Sequence, residues 1–474
     1  MAEIGNDLFF ATIRELNERL LAREVSAADL ARTFASRLQQ LGPRYNALAL
    51  ALPQQAVRKA EETDKEIKRG RTRGPLQGIP YGVKDLISFG GQPTTWGAQP
   101  YAGQVFDYDA TVVTRLASVG ATLVGKLSTV ELAGGGGYRF ASASLQGPGK
   151  NPWDITKWSG GSSSGPAAAV AAGLVPFAIG SETSGSIVTP ASYCGVTALR
   201  PTYGLVSRHG AMALSWTLDK LGPFARSAED CGLILQVIAG GDSNDPGSAG
   251  HSFYYTPQYG RAVRGVRAGY APVDFSQWAE PEARPAFAAA LDVLKQSGVE
   301  FLETKLPDFP YGAVISTVIG AEEASIFEEL ITSSRVDQLR DQAQIAGLKA
   351  NLEIPALAYL KAMRVRRLIQ EAFRDLFGKV DVLVSPGRFS PATPLDQPLD
   401  QDRGSRPQDP GMSALIAAAN LAGLPALVLP CGFAGNLPVA LQIVGAPFTE
   451  NMLLAIGREF QAHTDWNRRR PPQT

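Results

Sequence analysis

The segment that most constrains the fold runs from Trp158 to Arg200, WSGGSSSGPAAAVAAGLVPFAIGSETSGSIVTPASYCGVTALR. Two loops rich in serine and glycine, 160–165 and 183–186, enclose a run of small and apolar residues. Glycine allows backbone N–H groups to surround a ligand, and serine in such loops is either a turn former or a nucleophile. A flexible linker lacks these alanine, valine and isoleucine residues, so we predict a buried helix–strand unit between two loops, and two such loops on one buried unit weigh against the turn interpretation of their serines.

The run between the two loops predicts a helix followed by a strand. Proline is tolerated at the first position of a helix, where its missing N–H has no partner, so we expect Pro166 to begin the helix. Gly173 is expected to end it. The apolar residues 175–179 then predict a short buried strand.

Composition excludes several classes of protein. The 474 residues include 45 basic and 45 acidic side chains, so neither a basic surface for nucleic acid nor an acidic tail is indicated. Three cysteines without a CxxC pair predict neither a disulfide framework nor a zinc site, and we expect no metal and no cofactor. Neither a signal peptide nor a membrane span is predicted, so we expect a soluble cytoplasmic protein.

Helices and strands are expected to alternate along the chain, which predicts an α/β fold. Predicted helices cover 7–21, 27–41, 54–69, 111–119, 228–239, 280–297, 321–332, 356–377, 412–422 and 451–463. Predicted strands cover 78–88, 121–125, 175–179, 266–270, 380–385, 426–429 and 439–444. Segment 386–410 is rich in proline and polar residues and is expected to be an irregular pocket wall or lid.

Lys84 lies in the apolar run 78–88, GIPYGVKDLIS. Lysine is almost never fully buried without a partner, so this position needs an explanation. An edge strand or a salt bridge with Asp85 would each account for it structurally. The functional alternative is a desolvated lysine that acts as a base.

Two other motifs carry weaker signals. Residues 161–165 fit the GxSxG nucleophile elbow with Ser163 as nucleophile, but that motif requires a preceding strand, and 151–159 is not predicted to form one. The four glycines at 134–137 resemble a phosphate-binding loop but lack the flanking residues of a nucleotide motif.

Four motifs together closely resemble the amidase signature family. They are GIPYGVKDL at 78–86, GGSSSGPAAAVAAG at 160–173, GSETSGSIVTPASYCGVTALRPTYG at 180–204 and LPCGFAGNLPVALQIVGAPFTE at 429–450. The resemblance implies one large α/β domain over 1–474, with a central mixed β-sheet covered by helices on both faces. It divides this domain into N-terminal helices at 1–70, a catalytic core at 76–222 and a variable substrate-pocket region at 280–410.

The family uses a Ser–cis-Ser–Lys triad, and the resemblance implies its residues here. Lys84 matches the lysine, Ser162 the serine that follows a cis peptide, and Ser186 the nucleophile. A serine hydroxyl needs a base within hydrogen-bond reach, and lysine serves only when burial keeps it neutral. Ser162 would pass the proton of Ser186 to Lys84.

The resemblance also implies supporting groups. The backbone N–H groups of Thr183, Ser184 and Gly185, with that of Ser186, would form the oxyanion hole. Ser163 would be a hydrogen-bonding residue behind the triad.

Three positions depart from the family pattern. Ser184 replaces a glycine, which requires a backbone dihedral open to L-residues. Glu182 replaces an aspartate. Val188 replaces an arginine that helps some members to hold an anionic substrate, which favours a neutral, hydrophobic substrate here.

The resemblance implies a serine hydrolase that cleaves amides of small neutral molecules, with esters and carbamates (urethanes) as further candidate substrates. Such an enzyme would be a monomer or homodimer without nucleic-acid or membrane partners. The alternatives are the A-type subunit of a glutamine amidotransferase acting on misacylated tRNA, which needs partner chains, and an inactive scaffold. Loss of hydrolysis in Ser186→Ala tests the first alternative, co-purification with two other subunits tests the second, and labelling of Ser186 by a fluorophosphonate tests the third.

Overall fold

The structure is a computed structural model that describes residues 6–257, 263–399 and 407–472. Part of the irregular segment predicted at 386–410 therefore lies outside the described residues. The α-helices are α1 Ile13–Leu21, α2 Ala27–Leu41, α3 Pro53–Lys68, α4 Thr111–Ser118, α5 Ser164–Ala171, α6 Val188–Cys194, α7 Ala228–Ile238, α8 Arg284–Gln296, α9 Tyr311–Ile326, α10 Glu328–Thr332, α11 Gln342–Asn351, α12 Ala356–Leu376, α13 Leu415–Ala422 and α14 Glu450–Ala462.

The strands complete an α/β architecture. They are β1 Leu48–Ala51, β2 Pro80–Lys84, β3 Thr122–Leu127, β4 Lys150–Asn151, β5 Asp154–Trp158, β6 Phe177–Glu182, β7 Thr197–Arg200, β8 Lys220–Ala225, β9 Arg267–Tyr270, β10 Glu300–Glu303, β11 Val382–Pro386, β12 Ala426–Ala434 and β13 Leu437–Gly445. Among the described residues, eleven strands form one sheet in the order β1-β3-β2-β6-β8-β7-β12-β13-β11-β9-β10. Helices flank this sheet, as the family resemblance implies.

The sheet is mixed, and its parallel part positions the site. Strand β2 pairs in parallel with both β3 and β6, whereas β8 pairs antiparallel with β6 and β7. Every residue of β2, β6 and β8 is buried. Parallel strands buried on both faces have uninterrupted apolar runs, which is why periodicity identified β2 and part of β6.

Several helix boundaries follow from capping. Ser26 accepts a hydrogen bond from the N–H of Asp29 at 3.0 Å and begins α2 at the predicted residue. Gly173, with φ of 65°, follows the C-cap residue Ala172 of α5 and so ends the helix as predicted. Pro166 is the third residue of α5 rather than the first, because the helix begins at Ser164; proline is still tolerated there since the first four N–H groups lack helical partners.

Some predictions of secondary structure were wrong. Segment 151–159 contains β5, which pairs with β4 across a tight turn that holds Pro152, where the missing N–H costs nothing. Strands β7 and β8 were missed because each carries a buried cation, which weakens the apolar pattern. The edge strand β10 was missed because it is short and largely exposed. Helix α11 was missed, and α9 begins ten residues before the predicted start at 321.

Candidate active site

Lys84 ends strand β2 in the interior of the sheet. Its side chain is 0% exposed. Its Nζ donates hydrogen bonds to Ser162 Oγ at 2.7 Å and to Ser181 Oγ at 2.9 Å. Neither structural alternative for this lysine applies, because β2 is not an edge strand and Asp85 instead pairs with Lys126 at 2.9 Å.

The surroundings of Lys84 favour its neutral form. Burial lowers the pKa of this amine to about 7, and the negative charges of Asp219 and Glu182 oppose that shift. An exposed lysine would titrate near a pKa of about 10.4 and would be almost fully charged at neutral pH. The lowered pKa makes the free amine, which can accept a proton, accessible near neutral pH.

The first serine loop presents Ser162 to this amine. The peptide bond between Gly161 and Ser162 is cis, as the resemblance implies, and Ser162 is 1% exposed. Its carbonyl oxygen accepts hydrogen bonds from Val130 N–H at 3.2 Å and from the hydroxyl of Thr129 at 3.1 Å. Both bonds fix the loop against the segment that follows β3.

The second serine loop, between β6 and α6, carries Ser186. The N–H of Ser163 donates to the carbonyl oxygen of Ser186 at 3.4 Å, so the two loops lie side by side. Ser186 is 9% exposed, and its hydroxyl makes no hydrogen bond to protein within the described residues. The structure thus joins Lys84 and Ser162 directly, and it places Ser186 in the adjacent loop without a hydrogen bond between its hydroxyl and that of Ser162.

The backbone of the second loop offers free donors. In the described part of the chain, the N–H groups of Thr183, Ser184, Gly185 and Ser186 donate no backbone hydrogen bond. Gly185 has φ of 86°, which L-residues rarely adopt, whereas Ser184 keeps a negative φ and so tolerates its side chain. Free N–H groups beside a serine hydroxyl are the arrangement that stabilises a developing oxyanion.

Ser163 connects the two loops from behind. Its hydroxyl donates to the carbonyl oxygen of Ser181 at 3.0 Å and accepts from the N–H of Ser181 at 3.2 Å. Ser163 is 0% exposed and therefore cannot meet a substrate directly. Ser163 thus lies behind the two loops, and its supporting role for the triad stays a prediction.

Glu182 organises the second loop, a role that the sequence did not reveal. One carboxylate oxygen accepts from the N–H groups of Ile187 and Val188 at 2.7 and 3.0 Å, at the start of α6. The other accepts from Arg200 at 2.7 Å and from Asn420 at 2.8 Å. Burial raises the pKa of Glu182, but the positive charges close to it outweigh burial and give a pKa of about 2.

A second buried lysine extends this network. Lys220 is 2% exposed, and its Nζ donates to Asn420 Oδ1 at 2.5 Å and to the carbonyl oxygen of Thr183 at 3.5 Å. Burial lowers the pKa of Lys220 well below its ordinary value. The one signal in the sequence was Lys220 at the start of the short apolar run LGPFA at 221–225, and this signal is weaker than that of Lys84 because Asp219 precedes the lysine.

Val188 does not contact the solvent-accessible site. Its side chain is 0% exposed and belongs to the main hydrophobic core. The inference of a neutral substrate from this position therefore rests on the absence of a cation and not on an apolar contact.

A comparison with known proteins identifies the family. The family model described as Amidase matches residues 29–454. The chain belongs to the amidase signature family. The A-type subunit of glutamyl-tRNA(Gln) amidotransferase from Chloroflexus aggregans is 36% identical over 98% of this chain and 99% of its own length. The protein of the same name from Synechococcus sp. is 38% identical over 98% of this chain and 94% of its own length.

A solved structure of an amidase has the same fold as this chain. The peptide amidase of Stenotrophomonas maltophilia matches with a TM-score of 0.84 and 31% identity, and the match covers 98% of both chains. This amidase signature chain thus shares its fold with a peptide amidase over nearly its whole length. In the described part of the chain, no helix has the length and apolarity needed to cross a membrane.

Proposed function

We propose that this chain hydrolyses an amide C–N bond through an acyl-enzyme intermediate on Ser186. The observation that carries the proposal is the hydrogen bond of 2.7 Å between the buried amine of Lys84 and the hydroxyl of Ser162. In the first step, Ser186 Oγ attacks the carbonyl carbon and loses its proton to Ser162 Oγ. Ser162 passes its own proton to Lys84 Nζ, which becomes an ammonium.

The second part of acylation returns the proton. The N–H groups of residues 183–186 stabilise the negative oxygen of the tetrahedral intermediate. Lys84 then gives its proton back through Ser162 to the leaving nitrogen, and the C–N bond breaks. A water molecule repeats the sequence on the ester bond of the acyl-enzyme, which releases the acid and restores Ser186.

We further propose a neutral substrate for this reaction. No arginine stands two residues beyond Ser186, and the side chain of Val188 is buried. Amides, esters and carbamates all pass through the same tetrahedral addition, so the triad alone does not separate them. Region 280–410, which includes α9 to α12, is proposed to form the substrate pocket of a single domain over 1–474.

A second candidate is the glutamine-hydrolysing, A-type subunit of a tRNA amidotransferase. It is favoured by the named relatives, which are 36% and 38% identical over 98% of this chain. In that case the substrate is the side-chain amide of glutamine, the product ammonia is used by partner chains, and the partners bind tRNA. The chemistry at Ser186 is the same in both candidates.

The test is hydrolysis of four substrates by the purified chain: glutamine, a neutral aliphatic amide, an acyl-anilide and an aryl carbamate. We expect turnover of a neutral substrate that is lost in Ser186→Ala. The exposed Ser142, replaced by alanine in the same way, serves as the control and should leave the rate unchanged. Equal turnover in Ser186→Ala would contradict the proposed mechanism.

The same panel separates the two candidates. Release of ammonia from glutamine, with no turnover of neutral amides, would favour the amidotransferase role. Stimulation of that activity by co-expressed partner chains would strengthen it. Absence of any adduct between a fluorophosphonate and Ser186 would instead favour an inactive scaffold.

A further inference from the structure

We propose that Ser181 is a positioning residue that holds the amine of Lys84 with its lone pair directed at Ser162. The inference rests on the proposed function, because it matters only if Lys84 acts as the base. Ser181 is the second hydroxyl that contacts Lys84, and nothing in its sequence context indicated a role.

The geometry around Lys84 Nζ supports this assignment. The nitrogen lies 2.7 Å from Ser162 Oγ and 2.9 Å from Ser181 Oγ, and no carboxylate hydrogen-bonds to it among the described residues. A neutral amine has two N–H groups and one lone pair, and it rotates about the bond to its terminal carbon. If one N–H is donated to Ser181, the lone pair can face Ser162 and receive its proton.

Ser181 is itself held rigidly. It lies in β6, where it is paired with Leu221 of β8. The hydroxyl of Ser163 bridges the N–H and the carbonyl oxygen of Ser181 at 3.2 and 3.0 Å. The backbone of Ser181, whose hydroxyl accepts the hydrogen bond from Lys84, is therefore held by β8 and by the Ser163 hydroxyl. These hydrogen bonds also give a structural role to Ser163, the buried serine that follows Ser162.

A cavity next to Ser181 allows a pair of substitutions that differ in the hydroxyl group but not in size. It has a volume of about 260 Å³ and is lined by Ser181, Thr183, Asp219 and apolar side chains such as Leu86 and Leu221. Because Ser181 lines this space, we expect one extra methyl group on residue 181 to be accommodated. Threonine and valine are nearly equal in size there, and they differ in that threonine keeps the hydroxyl.

The experiment is the rate at which a fluorophosphonate labels Ser186, measured from pH ~5 to pH ~10 in the wild type, Ser181→Thr and Ser181→Val. We expect Ser181→Thr to stay within about twofold of the wild-type plateau. We expect Ser181→Val to label about tenfold more slowly at the plateau, because one oriented hydrogen bond is lost.

The midpoint of the pH profile provides the second readout. An ammonium gains more from a hydroxyl acceptor than a neutral amine does. The midpoint in Ser181→Val should therefore move to lower pH, even though the plateau falls. The charges that face Lys84 come from Asp219 and Glu182, and they are the same in all three proteins.

Each outcome has a defined meaning. Equal plateaus and midpoints in Ser181→Thr and Ser181→Val would overturn the inference, as would a slower plateau with an unmoved midpoint. Ser181→Ala, which cannot clash, should behave like Ser181→Val and replaces it if the valine variant fails to fold. A wild type that does not label at Ser186 would overturn the proposed function instead.

Discussion

Replacing Lys84 by methionine should abolish acylation and change the pH dependence of stability. Methionine is similar in length to lysine but has no charge to desolvate. In the wild type, the folded state holds Lys84 with a pKa of about 7, whereas the unfolded chain holds it near a pKa of about 10.4. At neutral pH and below, the buried side chain either gives up its proton or stays charged in the interior, and both destabilise the native state.

The magnitude follows from these two pKa values. The cost is complete below the folded pKa and disappears above the unfolded pKa, so it falls as pH rises. It amounts to about 5 kcal/mol at pH ~6 and about 2 kcal/mol at pH ~9. The methionine variant avoids this cost but leaves the hydroxyls of Ser162 and Ser181 without a partner, which costs about 1–3 kcal/mol at every pH.

The assay is the midpoint of thermal unfolding of both proteins at equal scan rates, at pH ~6 and pH ~9. For 474 residues, the unfolding entropy is about 1 kcal/mol per kelvin. The melting temperature of Lys84→Met, measured relative to that of the wild type, should therefore fall by about 3 °C between pH ~6 and pH ~9. A difference that does not change with pH would refute the claim that Lys84 is buried as a neutral amine.

Further predictions concern the residues around the triad. Asp219→Asn should move the midpoint of Ser186 labelling to lower pH, because the negative charge of Asp219 favours the ammonium form of the triad lysine; a move to higher pH would contradict this. Glu182→Gln leaves the buried Arg200 without a countercharge and should lower the free energy of unfolding by about 3–5 kcal/mol, which a fall in the thermal midpoint would measure. Gly160→Ala should yield little folded protein, since Gly160 has φ of 85° and a Cβ there would lie 2.5 Å from a backbone carbon of α6; a normal melting temperature would argue against this loop geometry.

The sequence itself singled out Lys84 and the two serine loops because these features are local, whereas the assignment of Ser162 and Ser186 came from the resemblance to the amidase signature family and stays a prediction. Each serine loop is a continuous segment, and Lys84 stood out as a cation inside an apolar strand. The α/β class and most helix bounds followed from periodicity and from caps such as Ser26. These features depend on neighbouring residues, so no knowledge of the tertiary structure was needed.

The parts that were missed depend on distant contacts. Glu182 meets Asn420, which is 238 residues away in the chain, and Lys220 meets the same side chain. Ser181 acquires its contact with Lys84 only when β6 lies beside β2. Strands β7 and β8 carry the cations of this network, and their buried charges conceal the apolar pattern.

The central claim is that a neutral Lys84, acting through Ser162, activates Ser186. The most direct test is the rate of fluorophosphonate labelling of the wild-type chain as a function of pH, with the labelled peptide identified by mass spectrometry. We predict an adduct on Ser186 whose formation rate rises to half its maximum at a pH of about 7. An adduct on another residue, or a half-maximum near the ordinary lysine pKa of about 10.4, would contradict the account.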